Sequence, residues 1–274
     1  MAPTTSSPTG WLSYDSVAAT YEAAAVPWFT PLARDLVAAL APSPHEVILD
    51  VGTGTGLIAR TITETEPRAR LVGVDPSRAM LAVARATGHV AATAAMAPGL
   101  PFRDGACDAV VANLVISHLP DRHRGLTDLV RVLRDDGRLA CSAWAAPAPA
   151  APDNQHAAAD RIVDQMRAEL GIDPTPPVQA APWEEWLHDP DHLREALSDA
   201  GLAALTIQRH EYHYAFSIPQ FLAGWGGRDR YLRHIAGEQQ WQHFLARART
   251  ALRRTFGAAI PVVSHAWIAT GTRR

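Results

Sequence analysis

The chain has 274 residues, 47% of them hydrophobic and 19% charged, which is ordinary for a globular protein and long enough for one enlarged domain or a domain with a smaller cap. A net charge of −3 and a pI near 6.4 give no electrostatic pull toward nucleic acid or a membrane surface. All 25 basic residues are arginine, so any mechanism that needs a catalytic lysine is excluded. The two cysteines, Cys107 and Cys141, lie in strand-like runs and read as buried reduced thiols. With no signal-like leader and no apolar run of about 18 residues, a cytoplasmic protein is expected.

In chain order, residues 1–10 are rich in Thr, Ser and Pro and read as a disordered tail. Residues 11–25 place Tyr14, Val17, Ala18 and Tyr21 at helical spacing. Thr30-Pro31 reads as a cap and first helical position, which starts a second helix that runs to Leu40. Val47-Ile48-Leu49-Asp50 is a continuous apolar run ending in an acid, as in a parallel strand buried on both faces. Gly52, Gly54 and Gly56 follow at alternate positions, and a helical pattern begins at Leu57. Glycines here let the backbone turn and approach a ligand, and the helix N-terminus beyond suits an anion such as a carboxylate.

The alternation then repeats. A strand over 71–75 ends in Asp75, and Ser77 caps a helix to about Thr87. A weak strand covers 90–93, a fourth covers 108–113, a helix covers 121–133, and a fifth strand covers 137–144. Such alternation predicts a parallel sheet with helices on both faces.

From 145 the pattern changes. Residues 145–153 read as an Ala/Pro linker, 154–170 as a helix and 171–182 as a loop. A helix over 191–200 ends at Gly201, and a sixth strand covers 202–216. Residues 218–256 are helical, broken at Gly224, Gly226 and Gly227, before a last strand over 261–270. The helical surplus, together with the N-terminal helices, reads as a cap over the carboxyl edge of the sheet. The resulting division is a core over 11–144, 190–217 and 258–274, with cap insertions at 145–189 and 218–257.

Two cofactors fit a strand–glycine loop–helix cradle. A dinucleotide loop, Gly-x-Gly-x-x-Gly, would need glycine at position 57, which is Leu57. The observed Gly-x-Gly-x-Gly after Asp50 resembles the first motif of class I S-adenosylmethionine-dependent methyltransferases. Asp75 follows Gly56 by 75 − 56 = 19 residues. The segment 100–108, with Leu100-Pro101-Phe102, Asp104 and Asp108, resembles the family's "LPF…D…FD", with Cys107 in place of Phe. His118-Leu119-Pro120-Asp121 and the segment 131–137 resemble its "HLPD" and "RVLRPGG" stretches. The match spans about 14–144 and is nearest to the quinone-biosynthesis and natural-product branch.

The resemblance implies a Rossmann-like, seven-stranded, mostly parallel α/β sheet with a helical cap. It also implies S-adenosylmethionine as cofactor and S-adenosylhomocysteine as product. Carried over residue by residue, it assigns the cofactor to Asp50, Gly52, Thr53, Gly54, Gly56, Asp75, Pro76, Met80, Met96, Ala97, Asn113 and Leu114. Asp75 would hold the ribose hydroxyls, Gly52 and Gly54 would meet the methionine moiety, and Asn113 would face it through its carbonyl. The family's acid four residues before the Leu-Pro-Phe leucine is here Met96, since 100 − 4 = 96, so adenine would rest on a thioether.

Methyl transfer needs alignment first and a base only if the acceptor carries a proton. His118, after the fourth strand, is the first choice for that base, or else a structural histidine beside the 121 helix. Tyr14 and Tyr21 share a helical face that either packs in the core or closes over the cofactor. On the sixth strand Glu211 and His213 alternate with His210, Tyr212 and Tyr214, so one set faces a pocket and the other solvent, with His213 as a second base candidate. Trp144, Trp183, Trp186, Trp225 and Trp241 fall in or beside the cap regions and favour an aromatic or apolar small-molecule acceptor. No metal, nucleic acid or membrane partner is expected, and a homodimer is compatible with this reading. The rivals are an NAD(P)-dependent oxidoreductase, disfavoured by Leu57 and the missing lysine, and a non-catalytic cofactor binder.

Overall fold

The structure, a computed structural model, describes residues 14–146, 155–172, 181–223 and 233–274. Its elements are α1 (Tyr14–Ala24), α2 (Val26–Leu40), β1 (Val47–Val51), α3 (Leu57–Thr65), β2 (Arg70–Asp75), α4 (Arg78–Thr87), β3 (Ala91–Ala94) and β4 (Cys107–Asn113). After a short 3-10 turn (Ile116–His118) come α5 (Arg122–Arg131), β5 (Leu133–Trp144) and α6 (Gln155–Glu169). A second 3-10 turn (Trp186–His188) precedes α7 (Pro190–Asp199), β6 (Leu202–Ser217), α8 (Ile218–Ala223), α9 (Glu238–Phe256) and β7 (Ala259–Arg273).

The seven strands form one sheet in the order β3-β2-β1-β4-β5-β7-β6. β1 pairs in parallel with β2 and β4, β2 with β3, and β4 with β5, while β7 runs antiparallel to β5. The order reverses between β1 and β4, so the crevice outside the carboxyl ends of those two strands is where such a sheet takes a ligand.

Side-chain caps set three of the helix starts. Ser77 Oγ accepts from Met80 N (3.2 Å) to open α4, and Asp121 Oδ1 accepts from Arg124 N (3.0 Å) to open α5. Asp189 Oδ1 accepts from Asp191 N (2.9 Å) to open α7, with Pro190 at its first position. The expected start of the second helix at Thr30-Pro31 is corrected. The helix begins at Val26, and Pro31 lies inside it. Pro27 takes the early position that proline tolerates, and the buried stripe Leu32, Ala33, Leu36, Val37 and Leu40 outweighs the one backbone bond lost at Pro31.

Contacts divide the chain into two compact units. The larger consists of Phe29–Pro147, Ala180–Glu211 and His265–Arg274, and the smaller of Met1–Trp28, Ala148–Gln179 and Tyr212–Ser264. In the larger unit Leu49, Val110, Leu126, Leu129, Leu139, Leu193 and Leu202 belong to one buried cluster, with Trp183 and Trp186 packed against it. Cys107 and Cys141 are free and buried there. In the smaller unit α6, α8 and α9 supply Ala159, Ile218, Leu222, Trp241, Phe244 and Leu252 to a second cluster, joined by Ile260 and Val262 of β7.

The unit boundaries differ from the sequence division. α1 groups with the smaller unit rather than the core, while α2 from Phe29 onward stays with the sheet through its buried apolar stripe. Residues 181–189, with Trp183 and Trp186, group with the sheet, and the first part of β7, to Ser264, with the smaller unit. The smaller unit takes β6 from Tyr212 onward. Trp225, Gly224, Gly226 and Gly227, the 1–10 tail and most of the 145–153 linker lie outside the described residues.

Candidate functional site

The loop from β1 to α3 is held by its own backbone. Gly52 N and Thr53 N both donate to Val74 O (2.8 and 2.9 Å), and Gly56 N donates to Thr53 O (2.8 Å). Those three N–H groups are therefore spent on β2 and on the turn, and the helix N-terminus at Leu57 lies beyond them. The glycines serve separate ends. Gly52 has φ 70°, and a Cβ there would meet Val115 Cγ2 at 2.3 Å. Gly54 has φ 54°, and its nearest neighbour would be Gly52 O at 3.9 Å, so its Cβ position faces open space.

Two acids frame this loop. Asp50, at the end of β1, is 1% exposed. Its Oδ2 accepts from Thr53 Oγ1 (2.6 Å), while its Oδ1, also buried, meets no hydrogen-bond donor among the described residues. Burial pushes its pKa up to about 7, the Thr53 hydroxyl pulls it down, and the charge of Asp75 adds a further rise. Asp75 ends β2 and accepts from Gly54 N through Oδ2 (3.0 Å) and from Ser77 N through Oδ1 (2.8 Å). One carboxylate thus ties the glycine loop to the start of α4. Pro76 is exposed beside it and Met80 is buried in the first turn of α4.

The third wall is the segment after β3. Met96 is 46% exposed, unusual for a large apolar side chain, whereas Ala97 is buried. Sequence reasoning missed what holds this segment. Asp128 Oδ2 accepts from Gly99 N (2.6 Å) and Leu100 N (2.8 Å). Arg131 donates to Asp128 Oδ1 (Nε, 2.9 Å), to Phe102 O (2.7 Å) and to Asp104 Oδ1 (2.7 Å). The available signal was an acid and an arginine three apart on one helix face, one of them inside the family-like segment.

The exit of β4 forms the fourth wall. Asn113 Oδ1 accepts from Ser142 Oγ (2.7 Å), and that oxygen accepts from Leu114 N (2.9 Å). The side-chain carbonyl of Asn113 is therefore engaged with β5. Leu114 has φ 57°, a costly conformation for a branched side chain that turns the chain sharply at the strand end. His118 closes the 3-10 turn with a solvent-accessible ring. The surrounding protein dehydrates that ring enough to hold its pKa below the ordinary imidazole value.

The remaining candidates lie elsewhere. Tyr14 and Tyr21 make an edge-to-face pair on α1, with centroids 6.2 Å apart, within the smaller unit. His213 sits on the exposed face of β6, whereas the alternate set Tyr212, Tyr214 and Phe216 is stacked inward, with Trp28 edge-on to Tyr214 and Phe216 at 5.4 and 5.1 Å. A histidine–carboxylate pair was missed. His265 opens the sheet unit's part of β7, its carbonyl takes Ala145 N (2.9 Å) at the carboxyl end of β5, and its Nε2 lies 2.9 Å from Glu211 Oε2. The alternation of β6 placed Glu211, but its partner is 54 residues away.

The carboxyl ends of β1 and β2 thus bring together a buried acceptor at Asp50, an open approach at Gly54 and an acid at Asp75, and the segment after β3 carries an exposed thioether at Met96. Residues 49–141 match the family described as a methyltransferase domain. The ubiquinone/menaquinone biosynthesis C-methyltransferase UbiE of Geobacter sulfurreducens is 34% identical over 108 residues, 36% of this chain and 42% of that protein. Nocamycin O-methyltransferase of Saccharothrix syringae is 26% identical over 223 residues, 77% of this chain and 79% of that protein. The chain thus spans less than half the length of the first of these relatives. The crystal structure of YcgJ from Bacillus subtilis shares the fold, with a TM-score of 0.53 and 20% identity over 88% of this chain and 98% of that one. The sheet order and the glycine loop at its switch point agree with the match of residues 49–141 to the methyltransferase-domain family.

Proposed function

We propose that the protein transfers a methyl group from S-adenosylmethionine to a small aromatic acceptor of the quinone or natural-product kind. The observation that carries the cofactor is Asp50 Oδ1, a buried carboxylate oxygen beside the glycine loop with no donor among the described residues. A cationic ammonium is the partner such an atom lacks, and no group of a nicotinamide dinucleotide supplies one there. Asp75 would take the ribose hydroxyls and Met96 the face of the adenine, and Gly54 leaves the backbone open to the methionine moiety. When bound, the cofactor presents an electrophilic methyl on a sulfonium for in-line displacement.

The chain's part is to align and deprotonate. Alignment is worth up to about 7–11 kcal/mol in favourable cases. His118, neutral at pH 7 because its pKa is held low, would accept the acceptor's proton. Support for an aromatic acceptor comes from the relatives, one acting in quinone biosynthesis and one named for nocamycin. The aromatic set Trp28, Tyr214 and Phe216 in the smaller unit adds to it, and we assign acceptor choice, with Tyr14 and Tyr21, to that unit.

Calorimetry tests the cofactor. One S-adenosylhomocysteine should bind per chain and NAD should not, and the reverse result would return the chain to the oxidoreductases. A screen with methyl-labelled cofactor, starting from phenols, quinols and indoles, then identifies the acceptor and the atom methylated. Removing residues 1–21 should abolish turnover and spare S-adenosylhomocysteine binding, and a fully active truncation would end the assignment of acceptor choice.

A further inference from the structure

The turn that carries His118 is short, and a histidine acting as a base must be held to a fraction of an ångström. Within it His118 N donates to Val115 O (2.9 Å) and Leu119 N to Ile116 O (3.3 Å). Two more come from far along the chain. Trp183 N donates to Ser117 O (3.4 Å), and Trp183 Nε1 donates to Leu119 O (2.7 Å). A single tryptophan therefore grips the carbonyls on both sides of His118.

Trp183 is itself fixed. The Arg122 guanidinium, at the start of α5, lies 4.7 Å from the centroid of Trp183 and 3.5 Å from that of Trp186. The His192 ring stacks on Trp186 at 4.5 Å, only 5° from parallel. Two flat groups cannot share one indole face at those distances, so Trp186 is sandwiched between guanidinium and imidazole. His192 Nδ1 also meets Trp186 O (2.9 Å), and Trp267 Nε1 of β7 donates to His188 O (3.1 Å). On the other side Leu119 is seated so tightly on α5 that a Cβ at Gly125 would meet its Cδ1 at 2.9 Å. The segment 183–188 is thus a strap, anchored on β7 at one end and on the His118 turn at the other.

We infer that Trp183, locked by Arg122 and the Trp186–His192 stack, is a positioning residue that sets the orientation of His118. This rests on the reading of His118 as the base. Trp183 and Trp186, two of the five tryptophans taken from the sequence as favouring an acceptor pocket, act on the turn that carries His118.

The test uses histidine-labelled full-length protein saturated with S-adenosylhomocysteine. The His118 ring signal is assigned by its loss in His118→Ala. Trp183→Phe keeps an aromatic ring in the core and removes only the Nε1–H grip. The His118 signal should broaden or split, with cofactor affinity unchanged within about twofold. With an acceptor from the screen, kcat should fall about tenfold or more and KM should stay. In a His118→Ala background Trp183→Phe should cost nothing further. A sharp, unshifted His118 signal in Trp183→Phe overturns the inference, and so does an equal loss in the His118→Ala background. If His118→Ala alone keeps full turnover, the base reading falls, and the ring signal alone then judges the strap. Should Trp183→Phe fail to fold, Arg122→Gln replaces it, where a broadened signal supports the strap and an unchanged one overturns it.

Discussion

Two strand-to-helix turns stand side by side at the carboxyl edge of the sheet, and they are built in opposite ways. The turn from β1 to α3 is built around three glycines and is tied by main-chain bonds to β2 and by Asp75. The turn from β4 to α5 begins at a strained Leu114, is pinned by Ser142 from the next strand, and is strapped by Trp183 from 64 residues away. The difference suits two tasks. A cofactor of fixed shape needs backbone at close range, which glycine gives. A reacting proton needs one side chain aimed accurately, which requires packing from several directions.

The turns also touch, and this gives the largest expected effect. Gly52→Ala would drive its Cβ to 2.3 Å from Val115 Cγ2 of the second turn, at a φ of 70° that alanine resists. S-adenosylhomocysteine affinity should fall about 10²-fold or more, a loss of roughly 3 kcal/mol. Gly52→Ala with Val115→Ala should recover part of it by calorimetry. Full affinity in the single mutant would mean that the two turns are independent.

The second effect separates the turns by function. His118→Ala should leave cofactor affinity within a few-fold and lower turnover by about 10². Because the His118 pKa is held below its ordinary value, wild-type turnover should stay flat from neutral pH upward and fall only on acidification below that value. For a phenol, with a free pKa near 10, the mutant should recover at high pH as phenolate forms. Wild-type turnover in His118→Ala would move the search to the His265–Glu211 pair at the edge of β7.

How much of this was legible follows the same division. The first turn was read almost whole, because its signals are contiguous: an apolar run, an acid, three glycines, then Asp75 and the Ser77 cap. The second turn was read only as far as His118. Asp128 and Arg131 act on a segment some 30 residues upstream, Trp183 acts 64 residues back, and no periodicity records such pairings. Local rules also lost to packing at Pro31, where a buried stripe carried the helix through a proline. On β6 the alternation was right and only the choice of buried face remained, which Trp28 decides in favour of Tyr214 and Phe216. The cap insertion was expected to run to 189, whereas residues 181–189 group with the sheet unit, where Leu187 is buried in its core.

The third effect tests Asp75 in its double role. Asp75→Ala removes the proposed ribose acceptor and also releases Gly54 N and Ser77 N. Affinity for S-adenosylhomocysteine should drop about tenfold or more, in line with roughly 1.5–3 kcal/mol for a charged hydrogen bond. Amide exchange should quicken at Gly54 and at the start of α4. An unchanged affinity in calorimetry would remove Asp75 from the site.

The smallest effect concerns protons. Asp50, with a pKa near 7, is largely protonated at pH 6 and largely ionised at pH 8, and only the ionised form pairs with an ammonium. Cofactor affinity should therefore rise several-fold between those values and level off above them, provided the cofactor ammonium stays charged. Folding carries the opposite sign. A carboxyl whose folded pKa lies above its unfolded one binds more protons when folded, so its contribution to stability is complete below the unfolded value of 3.8 and is lost as pH rises toward and through 7. The ligand-free protein should thus lose thermal stability between pH 5 and 8, and Asp50→Asn should flatten that slope while weakening the cofactor at every pH. Bound S-adenosylhomocysteine should flatten it in the wild type too, since its ammonium compensates the buried charge. A ligand-free protein whose melting temperature has the same pH slope with and without Asp50 would show that this carboxylate is not the titrating group, and the ammonium would need another acceptor.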